Sequence, residues 1–447
     1  MNITFDRWLL VTVSLFGVAS FVSIAGANVF LGLSTLLFLI VSIKNKEYSL
    51  ADDKLPYFKA LAVFAGALFI SALFSGNVGY GLKTWGDFFL WRFMPFVIIV
   101  SLFDDKFKAE KLLRAVMCGF LIDCLCAIYQ GTFVYKLNIA HGRAAGFVGH
   151  PMTLAGWECI LLPVLLVYIY RKDITKTYKW FYVVLFSLFT VALIFNSTRG
   201  AWLALAIALP LVSLPFILKS KKSFIAFVSV VALICTALIS SPSFMKRVDS
   251  ISDTDNWSNA SRFIIWETAY GMFKEHPVLG VGLGQFKPNF QSRFVDDDKL
   301  KKQVEEYQSY HKNLKQKKLT PAQKKMNKLQ VQALKQANRR AWENKHLRGL
   351  THAHNNIMQM LGENGLVGFF GYVFAFGFIL WENIKNYLMN KNPYALMIVG
   401  STTALILQGL TEYNFGNSSV MKIYWFVLAC LVILAGCYNK ENAEEKS

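Results

Sequence analysis

Apolar residues in this chain come in blocks rather than in alternation. Predominantly apolar stretches lie near residues 8–24, 27–43, 57–75, 85–103, 112–134, 151–170, 180–197, 201–218, 223–241, 363–382, 394–411 and 421–437. A helix needs roughly 20 such residues to cross the hydrocarbon core, so the pattern predicts about twelve transmembrane helices. The first two blocks are parted only by a short stretch containing Ala25, Gly26 and Asn28. The pair meeting at Ser197-Thr198-Arg199-Gly200 is joined as tightly. Residues 242–362 alone break the rhythm. The expected fold is an all-α polytopic membrane protein with one large helical loop before the tenth membrane helix.

Within that loop, residues 261–275 read as an amphipathic helix through Phe263, Ile264, Trp266, Ala269, Met272 and Phe273. The run from His276-Pro277 to Gly280-Val281-Gly282-Leu283-Gly284 is a succession of turn residues. Residues 296–348 form a strongly basic insertion, with Thr320-Pro321 as a helix start and Met326, Leu329, Leu334 and Trp342 as a sparse apolar stripe.

Charge fixes an expected orientation. Lysines and arginines crowd alternate short loops: Lys44, Lys46, Lys54 and Lys59; then Lys106, Lys108, Lys111 and Arg114; then Arg171, Lys172, Lys176 and Lys179; then Lys219, Lys221 and Lys222. The positive-inside rule puts these loops in the cytoplasm together with both termini. The loop between His141 and His150, the turn at Arg199 and the 242–362 segment then face outward. The chain divides into residues 1–241 (membrane helices 1–9), 242–362 (an extracytoplasmic loop with the basic insertion) and 363–447 (membrane helices 10–12 and a cytoplasmic tail).

Composition agrees. Of 447 residues, 54% are hydrophobic and 15% aromatic, which excludes an ordinary soluble domain. The net charge of +19 belongs to topology rather than to nucleic acid, because no zinc-finger spacing or aromatic-basic interleaving accompanies it. The seven cysteines lie in or beside apolar blocks, which argues against a disulfide framework. The first block lacks a small-residue cleavage site and reads as a retained anchor.

Candidate chemistry gathers where the long loop re-enters the membrane. Thr351-His352-Ala353-His354-Asn355-Asn356 is followed by Gly365-Leu366-Val367-Gly368. Histidine is the side chain suited to moving a proton near neutral pH. Glycines at 365 and 368 let the following helix approach a neighbour closely. Three arginines are placed outward: Arg143, Arg199 and Arg262. Their planar donor forks suit phosphate oxygens, although a boundary arginine also snorkels to lipid headgroups. Glu412, at the outer end of the eleventh block, either orients a histidine or a sugar hydroxyl or faces water. Asp253-Thr254-Asp255 has the form of a metal-binding Asp-x-Asp but sits among turn residues. Arg92 lies inside an apolar block with no evident carboxylate partner. Walker, zincin, serine-hydrolase and Cys/His zinc motifs are missing, so the sequence offers no motif for a metal or cofactor.

With these residues in view, the chain resembles the O-antigen ligase and O-antigen polymerase superfamily of bacterial envelope enzymes. The likeness runs through the whole arrangement of spans and is most specific from Arg262 to Gly368. There Trp266, His276-Pro277-x-x-Gly280-x-Gly282-x-Gly284 and His354-Asn355 follow the family's order, and His354-Asn355-x9-Gly365-x-x-Gly368 matches the histidine motif associated with ligases. Arg143 and Arg199 stand where the family carries basic residues. The insertion at 296–348 is longer and more basic than the family pattern. The resemblance implies an inverting, metal-independent glycan transfer at the outer face of the bacterial inner membrane. The implied donor is a glycan on undecaprenyl pyrophosphate and the acceptor a sugar hydroxyl of the lipid A core, both held among bilayer lipids. It implies His354, Arg199 and Arg262 as catalytic residues, Arg143, Asn355, His352 and Glu412 at the substrates, and Gly280, Gly282, Gly284, Gly365 and Gly368 as structural positions. An O-antigen polymerase or a protein O-oligosaccharyltransferase of the same superfamily would use similar residues. A flippase for lipid-linked glycans is the alternative of another class, and it would place charge at the midplane.

Overall fold

The computed structural model describes residues 3–45, 54–138, 142–219, parts of 221–249, 257–292 and 350–444. The described residues are helical without strands. The helices are α1 (Ile3–Val22), α2 (Ile24–Asn45), α3 (Leu55–Leu73), α4 (Val78–Gly86), α5 (Met94–Leu102), α6 (Lys106–Tyr129), α7 (Pro151–Tyr170), α8 (Lys176–Asn196) and α9 (Arg199–Ile217). They continue with α10 (Pro242–Asp249), α11 (Trp257–Glu275), α12 (Phe286–Ser292), α13 (Asn356–Asn390), α14 (Pro393–Gln408) and α15 (Ser418–Glu444). Among the described residues, nine helical segments are long and apolar enough to cross a membrane. Two further expected spans appear as the shorter apolar helices Arg7–Val22 and Pro393–Gln408. Most of the block at 223–241, the Asp-x-Asp at 253–255 and the basic insertion at 296–348 lie outside the described residues. Six of the cysteines are free thiols.

Helices α7 and α15 form the buried centre. Trp157, Ile160, Leu161 and Leu165 of α7, and Tyr424, Phe426, Cys430 and Leu434 of α15, have almost no exposed surface. A helix apolar all round belongs in such a position. Around this centre, α14 packs on α7 and α9, α15 on α5 and α6, and α13 on α3.

The tenth membrane segment begins earlier than its apolar block. Helix α13 starts at Asn356, because Asn355 accepts from the backbone N–H groups of Ile357 (2.8 Å) and Met358 (3.1 Å) as an N-cap. It then breaks at Gly365, where φ is 60° and ψ −157°. That region of backbone space is essentially glycine's alone. The groups released by the break are taken up by the glycine-rich turn. Val281 and Gly282 donate to the carbonyls of Gly362 (3.1 Å) and Glu363 (2.8 Å), and Leu366 and Val367 donate to Pro277 (2.9 Å) and Val278 (3.1 Å). An irregular backbone at membrane depth is tolerated only with such internal partners. Gly365 is therefore a break rather than merely a packing notch, whereas Gly368 does pack, against Leu68 of α3. Gly280, Gly282 and Gly284 all have positive φ. A Cβ on Gly280 would meet the Glu363 backbone at 2.4 Å.

Helix α11 is amphipathic as expected, with Ala269 and Met272 of the expected stripe fully buried, but the buried face is turned toward Ser261 and Ile265. Ser261, Ile265, Ala269 and Met272 point inward, while Phe263 is 57% exposed. The reason is a close backbone approach: Gly362 of α13 sits against Ala269, and only a residue that small at this crossing allows it.

Candidate active site

Two loops at one end of the bundle build the site. The first, residues 350–355, is pinned on both sides. Trp266 of α11 donates its indole N–H to the Ala353 carbonyl (3.0 Å), and the Ala353 N–H donates to Gln359 Oε1 (2.7 Å). His354 follows with φ 48°, a left-handed backbone that directs its ring away from the chain's path. The second loop, between α14 and α15, is clamped by the two asparagines after His354. Asn355 donates to the Leu410 carbonyl (2.8 Å). Asn356 donates from its backbone to Gly409 (2.7 Å) and from its side chain to Asn414 (2.7 Å) and Tyr372 (3.1 Å). Arg92 braces the same loop, donating to the Phe415 carbonyl (3.1 Å).

These clamps bring Glu412 against His354, with Nδ1 and Oε2 3.1 Å apart. Glu412 is buried, 6% exposed, and so does not face water. Burial opposes its charge, but the hydrogen bond and positive field of His354, with His352 and Arg262 behind it, outweigh that and hold its carboxyl below the usual range. The rings of His352 and His354 lie 4.2 Å apart. Burial, reinforced by His354, pushes His352 down to about 4, with Glu412 pulling the other way. His352 is therefore neutral at pH 7. Arg262 faces Glu412 from α11, one turn before Trp266, and its own pKa is lowered by burial.

The remaining arginines reach the same end by a chain of contacts. Arg143 donates to the Asn196 carbonyl (3.1 Å) and to the Thr198 hydroxyl, next to Arg199. Arg199 opens α9 and is 8% exposed. Its neighbour Gly200 lies so close to Thr411 that a Cβ would meet Oγ1 at 1.9 Å, and Thr411 precedes Glu412. His150 adds to the positive field on His352 and contacts Thr153 at 3.1 Å. Arg143, Arg199, Arg262, His352, His354, Asn355 and Glu412 thus lie along one connected rim. Asn355 serves there as a cap and a clamp.

The sequence reading missed three elements of this construction. Asn356 was visible only as the last letter of the histidine motif, and its role needs the loop at 409–417 to be beside it. His150 lies far away in sequence. The partner of Arg92 is Asp87, whose carboxylate accepts from Nε at 2.8 Å. A π-helical turn at Asp87–Trp91 widens the coil so that residues five apart come face to face.

Residues 183–314 match the family model described as O-antigen ligase. This match covers Arg199, Arg262 and the glycine-rich turn. Over these residues the chain is similar to the O-antigen ligase family. An uncharacterised protein of Haemophilus influenzae is 24% identical over 242 residues, which are 49% of this chain and 57% of that protein. The alignment thus spans little more than half the length of that relative.

Proposed function

We propose that this protein transfers a glycan from undecaprenyl pyrophosphate to a sugar hydroxyl of the lipid A core, with inversion at the anomeric carbon and without a metal. The observation that carries this reading is the His354–Glu412 pair beside Arg262. The imidazole accepts a proton, the carboxylate stabilises the imidazolium that results, and cations stand ready for phosphate. With Nδ1–H donating to Glu412, Nε2 is the nitrogen that takes the proton of the acceptor hydroxyl. The hydroxyl oxygen attacks the anomeric carbon from the face opposite the lipid pyrophosphate, and the carbon–oxygen bond to the pyrophosphate breaks. Arg143, Arg199 and Arg262 stabilise the charge that grows on the leaving group. His352, kept neutral by burial, adds a hydrogen-bonding ring to the acceptor side.

The orientation follows from the two ends of the bundle. Lys54, Lys106 and Arg171 pair with Asp104, Glu441 and Asp173 at the end away from the histidines. The positive-inside rule supports reading that basic end as cytoplasmic, with the rim toward the periplasm and both termini inside. Donor and acceptor keep their lipid tails in the bilayer, and this confinement raises their effective concentration at the rim.

The test is transfer by purified protein in detergent, given lipid-linked glycan and rough lipopolysaccharide. Product forms without a second compartment if the protein is an enzyme, and a flippase makes none. His354→Ala lowers transfer by about 10²–10⁴-fold while the protein stays monodisperse. Undiminished transfer by that variant removes His354 from the mechanism. Glycan joined to another lipid-linked unit rather than to the core reassigns the protein as a polymerase.

A further inference from the structure

We infer that His352, His354 and Glu412 form a binding site for a borderline divalent cation, Zn²⁺ by preference, and that its occupation silences the transfer proposed above. Among the described residues these three form a group whose ligand atoms all lie within 4.8 Å of one another. His354 Nδ1 and Glu412 Oε2, at 3.1 Å, already stand near the spacing of two ligands on one ion, about 3.3 Å for bonds of about 2.0–2.1 Å. His352 is the third member of that group, and its Nδ1 accepts from the backbone N–H of His354 at 3.3 Å. Both loops that carry these ligands are pinned, one by Trp266 and Gln359, the other by Asn355 and Asn356, so the site is largely assembled before any ion arrives. Two imidazoles and one carboxylate with open positions make a donor set suited to zinc. Magnesium and calcium prefer oxygen ligands and have little to gain here. Arg262 beside Glu412 and His150 beside His352 oppose a second positive charge, which limits the affinity.

The consequence follows from proton bookkeeping on one ring. In the metal-free pair, His354 carries its proton on Nδ1 and offers the Nε2 lone pair to the acceptor hydroxyl. An ion inserted between Nδ1 and Glu412 takes the Nδ1 lone pair. The ring's single proton then resides on Nε2, and no lone pair is left to accept another. Glu412, now a ligand, no longer stabilises an imidazolium. The silencing rests on the proposed role of His354, whereas the cation site rests on geometry alone.

The experiment is Zn²⁺ titration calorimetry on the purified full-length protein after chelation, with Mg²⁺ as a second probe. His352→Asn, Glu412→Gln and, as a control outside the cluster, His276→Asn are titrated in parallel. One Zn²⁺ should bind per chain in the wild type and in His276→Asn, and Mg²⁺ should not. Altering residues that merely orient metal ligands costs about 10–100-fold in affinity, so loss of a ligand should cost at least about tenfold. Zinc-edge absorption should report imidazole nitrogens with a carboxylate oxygen. Transfer should be full in chelator and should fall in step with zinc occupancy. Wild-type zinc affinity in both cluster variants overturns the site. Zinc bound there with transfer unaffected overturns the silencing, as does transfer that is lost in chelator and restored by zinc. Absence of transfer under every condition counts against the proposed function, while the titrations still decide the cation site.

Discussion

Glu412→Gln isolates the charge of one carboxylate from its shape. Glutamine has nearly the same volume and still presents an oxygen to His354 Nδ1, so the loop clamped by Asn355 and Asn356 keeps its place. What is lost is the negative charge that faces the imidazolium at the moment of proton transfer. Two unit charges 3.1 Å apart interact by about 5 kcal/mol at an effective dielectric near 20. The His354 side chain is 25% exposed and Arg262 draws on the same carboxylate, so we discount that by half, to about 2–3 kcal/mol. At 1.36 kcal/mol per decade, kcat should fall about 30- to 150-fold. KM for either substrate should hardly change, because the carboxylate acts on the charge that grows on the imidazole as the proton is transferred. The assay is initial-rate transfer with purified variants, paired with melting curves to confirm the fold. Adding Glu412→Gln to His354→Ala should cost nothing further, since the carboxylate acts through the imidazole. Wild-type kcat in Glu412→Gln, or a full additional loss in the double variant, refutes the pairing as a catalytic device.

Arg199→Lys should slow transfer by about 10²-fold, because a point charge cannot replace the planar fork at a diphosphate; wild-type turnover in that variant marks Arg199 as a membrane anchor. Gly365→Ala should destabilise the protein by about 3 kcal/mol or more, read as a lower melting temperature, since a Cβ there meets the Val278 backbone at 2.4 Å in a conformation that alanine avoids. His352 should make stability pH-dependent. Its folded pKa lies below its unfolded one, so the unfolded chain binds more protons between about 4 and 6.5. The stability it contributes is fully present above 6.5 and is lost as pH falls toward about 4, by up to about 3 kcal/mol. His352→Asn should flatten that part of the melting-temperature profile, and an unchanged profile removes His352 as its source.

The chain's own order of residues settled the solvent in which it folds. Apolar blocks of membrane-crossing length are a local property, and burial of backbone groups in lipid leaves a helix as the available form for each block. The same order picked out the polar residues at block ends, because a histidine or an arginine at such a boundary stands out against apolar neighbours. Where the reading fell short, the cause was contact between parts distant in sequence. The face that α11 buries depends on Gly362 of α13. The partner of Arg92 depends on a π turn that changes the helical register by one residue. Whether Glu412 met water or a histidine was undecided in the sequence, since it lies 58 positions from His354, and two asparagine clamps brought the loops together. Tertiary structure decided these pairings because a hydrogen bond needs its partners within about 3 Å, a distance that chain spacing alone cannot specify.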